Sequence, residues 1–114
     1  MTNNIQLTDT VRKFREALEV FHKLDAEIPI QTVLAYLHAV EKPGQSVTEI
    51  SKLLETNVST VSRQLASLTK THRNGLAGYD LLVARDDDQD DCIKKMYPTT
   101  RGCNLMEEIE KIIK

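Results

Sequence analysis

The chain has 114 residues, 40% of them hydrophobic and 28% charged, with a formal net charge of −2. That length suits one domain around one core, and the composition is that of a globular protein rather than a disordered or disulfide-stapled one. No apolar run reaches the roughly 18 residues of a membrane span, and the start MTNNIQLTDT lacks the basic and apolar regions of a secretory signal, so no membrane partner and a cytoplasmic location are expected.

Leu7, Val11, Phe14, Leu18 and Phe21 recur at alternating steps of four and three. This narrow stripe predicts a helix over 7–28 that packs against another long helix, including one from a second subunit. Thr8 or Thr10 suits its N-cap, and Arg12, Lys13, Arg15, Glu16 and Glu19 occupy its other faces. Pro29 fits the first turn of a second helix with Ile30, Val33, Leu34 and Leu37 on its inner face, and EKPGQ stops it. Thr48 is predicted to cap a short third helix with Ile50, Leu53 and Leu54 inward. Asn57 is predicted to cap a fourth, running from Val58 to near His72, about 22 Å at ~1.5 Å per residue. Only the ETN turn separates these two, which is helix-turn-helix spacing over 47–72. NGLAG then ends the fourth helix. YDLLVAR reads as a strand, the aspartate run as a loop and CIKKMYP as a returning strand, making a hairpin, or wing, over 79–98. Thr99 or Thr100 caps a last helix over 100–114, where Leu105, Met106, Ile109, Ile112 and Ile113 supply apolar contacts. The expected fold is mainly α with a small β-hairpin (α+β): a single winged helix-turn-helix domain over 1–114 with helical extensions at both ends.

With Val58, Val61, Leu65 and Leu68 turned inward, the outward arc of the fourth helix holds Ser59, Thr60, Arg63, Ser67 and Lys70, flanked by Ser62 and Gln64. No acidic residue occurs from Asn57 to Tyr79, whereas Arg63, Lys70 and Arg73 are basic. Short hydroxyls can bond phosphate oxygens or base edges, arginine suits a guanine edge and glutamine an adenine edge. The combination points to double-stranded DNA, with this helix in the major groove. Five aspartates follow between Asp86 and Asp91. They read as a solvated loop pairing with Arg85, Lys94 or Lys95. A cation site lacks the glycine and distal glutamate of a calcium loop. A docking surface for a basic protein is the third reading, and it carries the alternative function: a winged-helix interaction module with little or no DNA binding.

Enzymatic chemistry and cofactors are not expected. His22, His38 and His72 fall on separate predicted helices without an obvious catalytic partner, and four glycines form no phosphate loop. Cys92 and Cys103 are too few for a disulfide framework and lack metal-ligand spacing; they read as reduced, partly buried thiols.

VTEISKLLETNVSTVSRQLASL, Val47 to Leu68, resembles the helix-turn-helix of the MarR-type transcriptional regulators, with STVSRQL its most recognisable part. LLVARDDDQDD and TTRG are more weakly similar to that family's wing and the start of its next helix. The resemblance implies a cytoplasmic homodimer on pseudo-palindromic DNA, mostly a repressor, often released by a small-molecule effector. It implies that Asn57 caps the recognition helix, that Ser59, Thr60 and Arg63 touch bases or phosphates, and that Thr48 caps the preceding helix where its backbone meets a phosphate. The first and last helices would form the dimer interface, through Leu7, Val11, Phe14, Leu18 and Phe21 with Leu105, Ile109 and Ile112. Three departures stand out. Asp91 and Cys92 occupy the wing positions where the family has arginines, THRNGLAGYD is longer than the usual connection, and the family's closing helix is missing after Lys114.

Overall fold

The computed structural model describes residues 3–70, 77–87 and 89–114, with side chains described from Leu7 onward except at 90–92. In chain order they form α1 (Asn3–Leu24), α2 (Ile30–Glu41), β1 (Gln45–Ser46), α3 (Val47–Leu53), α4 (Val58–Leu68), β2 (Leu82–Asp87), β3 (Asp90–Pro98) and α5 (Thr100–Ile113). They belong to two compact units, Pro29–Cys103 and the two ends, Met1–Ile28 with Asn104–Lys114.

In the unit of the two ends, α1 starts at Asn3, so Thr8 and Thr10 lie inside the helix and do not cap it. Val20, Phe21 and Ile109 are buried, whereas Leu7, Val11, Phe14 and Leu18 are 59%, 63%, 66% and 39% exposed. The stripe read from the sequence is therefore apolar yet open along most of its length. The polar faces of α1 are laced by ion pairs one turn apart: Asp9 with Arg12 and Lys13, Arg12 with Glu16, and Arg15 with Glu19. The Arg12 guanidinium holds the Asp9 carboxyl below its ordinary range.

The core of the unit Pro29–Cys103 is built from Val33, Ala35, Tyr36 and Ala39 of α2, Ile50 of α3, Val61, Leu65 and Leu68 of α4, and Leu81, Leu82 and Met96 beside or within the hairpin. Pro29 is the N-cap of α2 rather than part of its first turn. The buried face of α2 also differs from the expected one: Ile30 and Leu34 are 62% and 40% exposed, while Ala35, Tyr36 and Ala39 are fully buried. Two alanines let neighbouring backbone approach closely, and the large ring of Tyr36 fills the space; that face wins over the one with more aliphatic residues. The Tyr36 hydroxyl donates to the Gly102 carbonyl, and burial pushes its ionisation upward.

Ser46, not Thr48, caps α3. The Ser46 Oγ accepts from the Glu49 backbone N–H at 3.1 Å, and the Glu49 carboxylate accepts from the Ser46 N–H at 2.9 Å. This reciprocal pair satisfies two donors, and a cap at Thr48 would satisfy neither. Thr48 lies within the helix, its carbonyl accepting from Ser51 Oγ. Leu53, expected inward, is 50% exposed, because a seven-residue helix has room for one inward turn only. The bond from Ser46 lowers the Glu49 carboxyl below its ordinary pKa. A lowered carboxylate contributes stability at neutral pH that is lost as pH falls through the folded-state value. Ser46→Ala removes the acceptor of the Glu49 N–H but keeps the N–H that holds its carboxylate. It should cost about 1 kcal/mol in urea unfolding near pH 7, and parent and variant alike should lose the carboxylate's contribution in acid. Equal midpoints at neutral pH would mean that the capping box does not stabilise α3.

The turn after α3 needs a left-handed residue. Glu55 supplies it at φ 53°, with its N–H bonded to the Lys52 carbonyl and that of Thr56 to the Ser51 carbonyl. These two bonds close α3 as a Schellman motif. The sheet is antiparallel in the order β1-β3-β2, with Gln45 opposite Met96 and Ala84 opposite Met96 from the other side. Two-residue β1 carries no periodicity and was not expected. Tyr79–Leu81, expected as strand, precede β2 and bond instead to the end of α4. The aspartate run is not all loop: Asp86 and Asp87 end β2, and Asp90 and Asp91 begin β3.

Candidate nucleic-acid interface

α4 opens with Asn57, whose carboxamide oxygen accepts from the Thr60 N–H at 2.8 Å and from Ser59 Oγ at 2.9 Å. The cap thus orients the first hydroxyl of the outward face as well as starting the helix. Val61, Leu65 and Leu68 are buried, as their spacing requires, but Val58 is 46% exposed at the first turn. Ser59 and Arg63 are exposed, and Thr60, Ser62, Gln64 and Ser67 are half-buried. No carboxylate among the described residues pairs with Arg63. Its guanidinium stands among small hydroxyls on an acid-free helix.

α4 ends at Leu68 rather than near His72. At ~1.5 Å per residue it is about 16 Å long. Its last carbonyls are claimed by a later segment: those of Ser67, Leu68, Thr69 and Lys70 accept from Tyr79, Leu81, Asp80 and Gly78 at 2.9, 2.8, 3.3 and 3.0 Å. The Thr69 hydroxyl also turns back to the Ala66 carbonyl. Continuing the helix would forfeit these bonds, so Lys70, exposed, sits just beyond the helix and not on its arc. Arg73 and His72 lie outside the described residues.

Two flanking residues are less available than the spacing suggests. Gln64 Nε2 donates to Gln31 Oε1 of α2 at 2.9 Å, and the Oε1 of Gln64 is buried without a hydrogen-bond partner. Ser67 Oγ donates to the Gln64 carbonyl at 2.6 Å, folding onto its own helix. The Gln31 contact spans 33 residues of sequence, and nothing local announces it. The Ser46–Glu49 box did carry a signal, serine three residues before glutamate, which the nearer threonine obscured.

Across a cleft of about 220 Å³, Ser62, Leu65, Ala66 and Thr69 of the α4 region face Ala84, Lys94 and Met96 of the wing. Lys94 pairs with Asp86 and Lys95 with Asp87, and the Arg85 guanidinium stacks over the Tyr97 ring at 5.3 Å. The wing cations therefore all have partners on the hairpin itself. In the other unit, Ile109, Met106 and Ile113 line a groove of about 440 Å³ on α5. Leu105 and Ile112 are half-buried, and Cys103 is exposed rather than partly buried.

No protein-family model and no curated protein matches the chain. Solved structures do. The S. aureus MepR–DNA complex superposes with a TM-score of 0.66 at 25% identity, covering 98% of this chain and 82% of that one. MarR gives 0.65 at 17% identity, covering 98% and 75%. YusO from Bacillus subtilis gives 0.66 at 18%, covering 97% and 74%. The chain has the MarR-type winged-helix fold. Within the MarR-type fold its α3 and α4 are the helix-turn-helix and its β2–β3 hairpin is the wing. Apart from β1, the order of elements read from the sequence is the order found.

Proposed function

We propose that the protein is a sequence-specific, double-stranded-DNA-binding transcriptional regulator, a repressor, acting in the cytoplasm as a homodimer on a pseudo-palindromic site. The observation that carries this reading is the exposed Arg63, without an ion-pair partner among the described residues, on an acid-free face of α4 whose first hydroxyl, Ser59, is oriented by Asn57. A helix of this width enters a major groove about 12 Å across, and arginine there reads guanine by two parallel bonds. The MepR, AbfR and CouR structures with this fold are described as DNA complexes, which supports the same partner. Ser59, Thr60 and Ser62 would bond phosphates or base edges, and Lys70 a phosphate. Arg12 and Lys13 are less suited to phosphates, being engaged with Asp9 and Glu16.

The exposed stripe Leu7–Leu18 supports a second copy as the partner that covers it. Two-fold pairing would set two recognition helices on half-sites about one helical turn apart. Phe14→Glu should then shift the sedimentation coefficient from dimer towards monomer at micromolar concentration; an unchanged dimer would place the interface elsewhere. Effector release is carried by the fold likeness alone. Selection of bound duplexes from a random pool tests the whole reading. It should return a palindromic consensus, and retention on heparin or random duplex should fall steeply with salt. No binding at any salt would instead favour the protein-interaction module with its acidic wing.

A further inference from the structure

The wing bears two lysines, each held by an aspartate, and Lys94 is the one that faces α4. Asp86 is the cross-strand partner of Lys94 in the antiparallel register, and their side chains form an ion pair. Lys95 pairs with Asp87 at 3.9 Å. Lys94 also lines the cleft shared with Ser62 of α4, so a duplex lying on α4 passes close to it. The Lys94–Asp86 pair lies at the surface, its side chains 55% and 53% exposed, and the Lys95–Asp87 pair is less open, at 37% and 22%. Exposed pairs are weak, and a phosphate can compete for the lysine. The aspartate it leaves behind then faces that phosphate with like charge. The cost of engagement therefore lies in the abandoned carboxylate rather than in breaking the pair.

We infer that Asp86 and Asp87 act as an electrostatic brake on DNA affinity, keeping Lys94 and Lys95 from bonding phosphates. The inference rests on the DNA-binding reading above. It also accounts for two wing lysines that do not act as a basic patch: the register sets Asp86 opposite Lys94, and the Asp87 side chain reaches Lys95. Salt screens the phosphates as well as the pairs, so the effect of the brake is largest at low ionic strength.

Neutralising the two carboxylates while keeping their shape is the test. The double variant Asp86→Asn, Asp87→Asn is expected to bind the selected duplex roughly tenfold more tightly at about 0.1 M salt. Its plot of log affinity against log salt should steepen by about 0.9 for each additional phosphate that a lysine neutralises. Lys94→Gln with Lys95→Gln in the parent should change affinity less than twofold, and added to the aspartate variant they should abolish the tighter binding. Circular dichroism confirms that each variant is folded. Tighter binding that survives loss of both lysines is a bulk-field effect and overturns the inference. So does unchanged affinity in a protein that binds duplex, or an equal loss when the lysines are removed from the parent. Neither parent nor variant binding any duplex overturns the inference together with the DNA-binding reading; binding by the variant alone supports both.

Discussion

Gly102→Ala is expected to lower unfolding free energy by about 3 kcal/mol. A Cβ at this position would lie 2.2 Å from the Leu81 carbonyl oxygen and 3.1 Å from its carbon. Backbone at that distance must move, and Leu81 has little freedom. Its side chain is fully buried, its N–H donates to the Leu68 carbonyl, and its own carbonyl accepts from Thr99. Retreat of Gly102 in the opposite sense is resisted by Tyr36, whose hydroxyl bonds the Gly102 carbonyl. The strain therefore spreads to the start of α5, the end of α4 and α2 together. Urea titration should show a lower midpoint with an unchanged slope, and Tm should drop by roughly 10 °C or more. A variant as stable as the parent would mean that α5 does not begin against Leu81.

Arg63→Ala should weaken binding to the selected duplex by about 1–3 kcal/mol, roughly five- to 150-fold, while leaving binding to random duplex nearly unchanged. The asymmetry is the informative part. A guanidinium bonding a base edge contributes to the chosen site only, whereas one bonding phosphate contributes to every sequence. Lys70→Ala provides the contrast: it should weaken both duplexes alike and reduce the salt slope by about 0.9. Arg63→Lys should recover charge but not two-pronged recognition, so specificity should stay low even where affinity partly returns. Equal losses on selected and random duplex for Arg63→Ala would reassign Arg63 to the phosphates.

The beginnings of α4 and α5 were legible in the sequence, whereas those of α1, α3 and β2 and the end of α4 were not. Asn57 and Thr99 cap their helices with side chains a few residues from the N–H they satisfy, at Thr60 and Gly102, so local sequence suffices. The end of α4 is decided by Gly78–Leu81, ten or so residues on, which no window along the helix contains. The same limit explains Gln64. Its spacing places it on the flank of the outward arc, but Gln31 of α2 decides what its carboxamide does. On α2 itself, periodicity offered two apolar faces, and packing around Tyr36 chose the one richer in alanine. The stripe of α1 was visible as a pattern, and its exposure required the fold. Likewise the aspartates and lysines of the wing were plain in the sequence, while the register that sets Asp86 opposite Lys94 was not.

The four bonds from Gly78–Leu81 to Ser67–Lys70 fasten both ends of the intervening stretch, with Gly78 N–H only 3.0 Å from the Lys70 carbonyl. Lys70 and Gly78 are thereby held together whatever the length of the connection between them. Doubling its length would cost roughly 0.6 kcal/mol in closure entropy. Insertions can therefore lengthen this connection with little penalty to the helix before it, so a new module could be grafted there while α4 stays where it is.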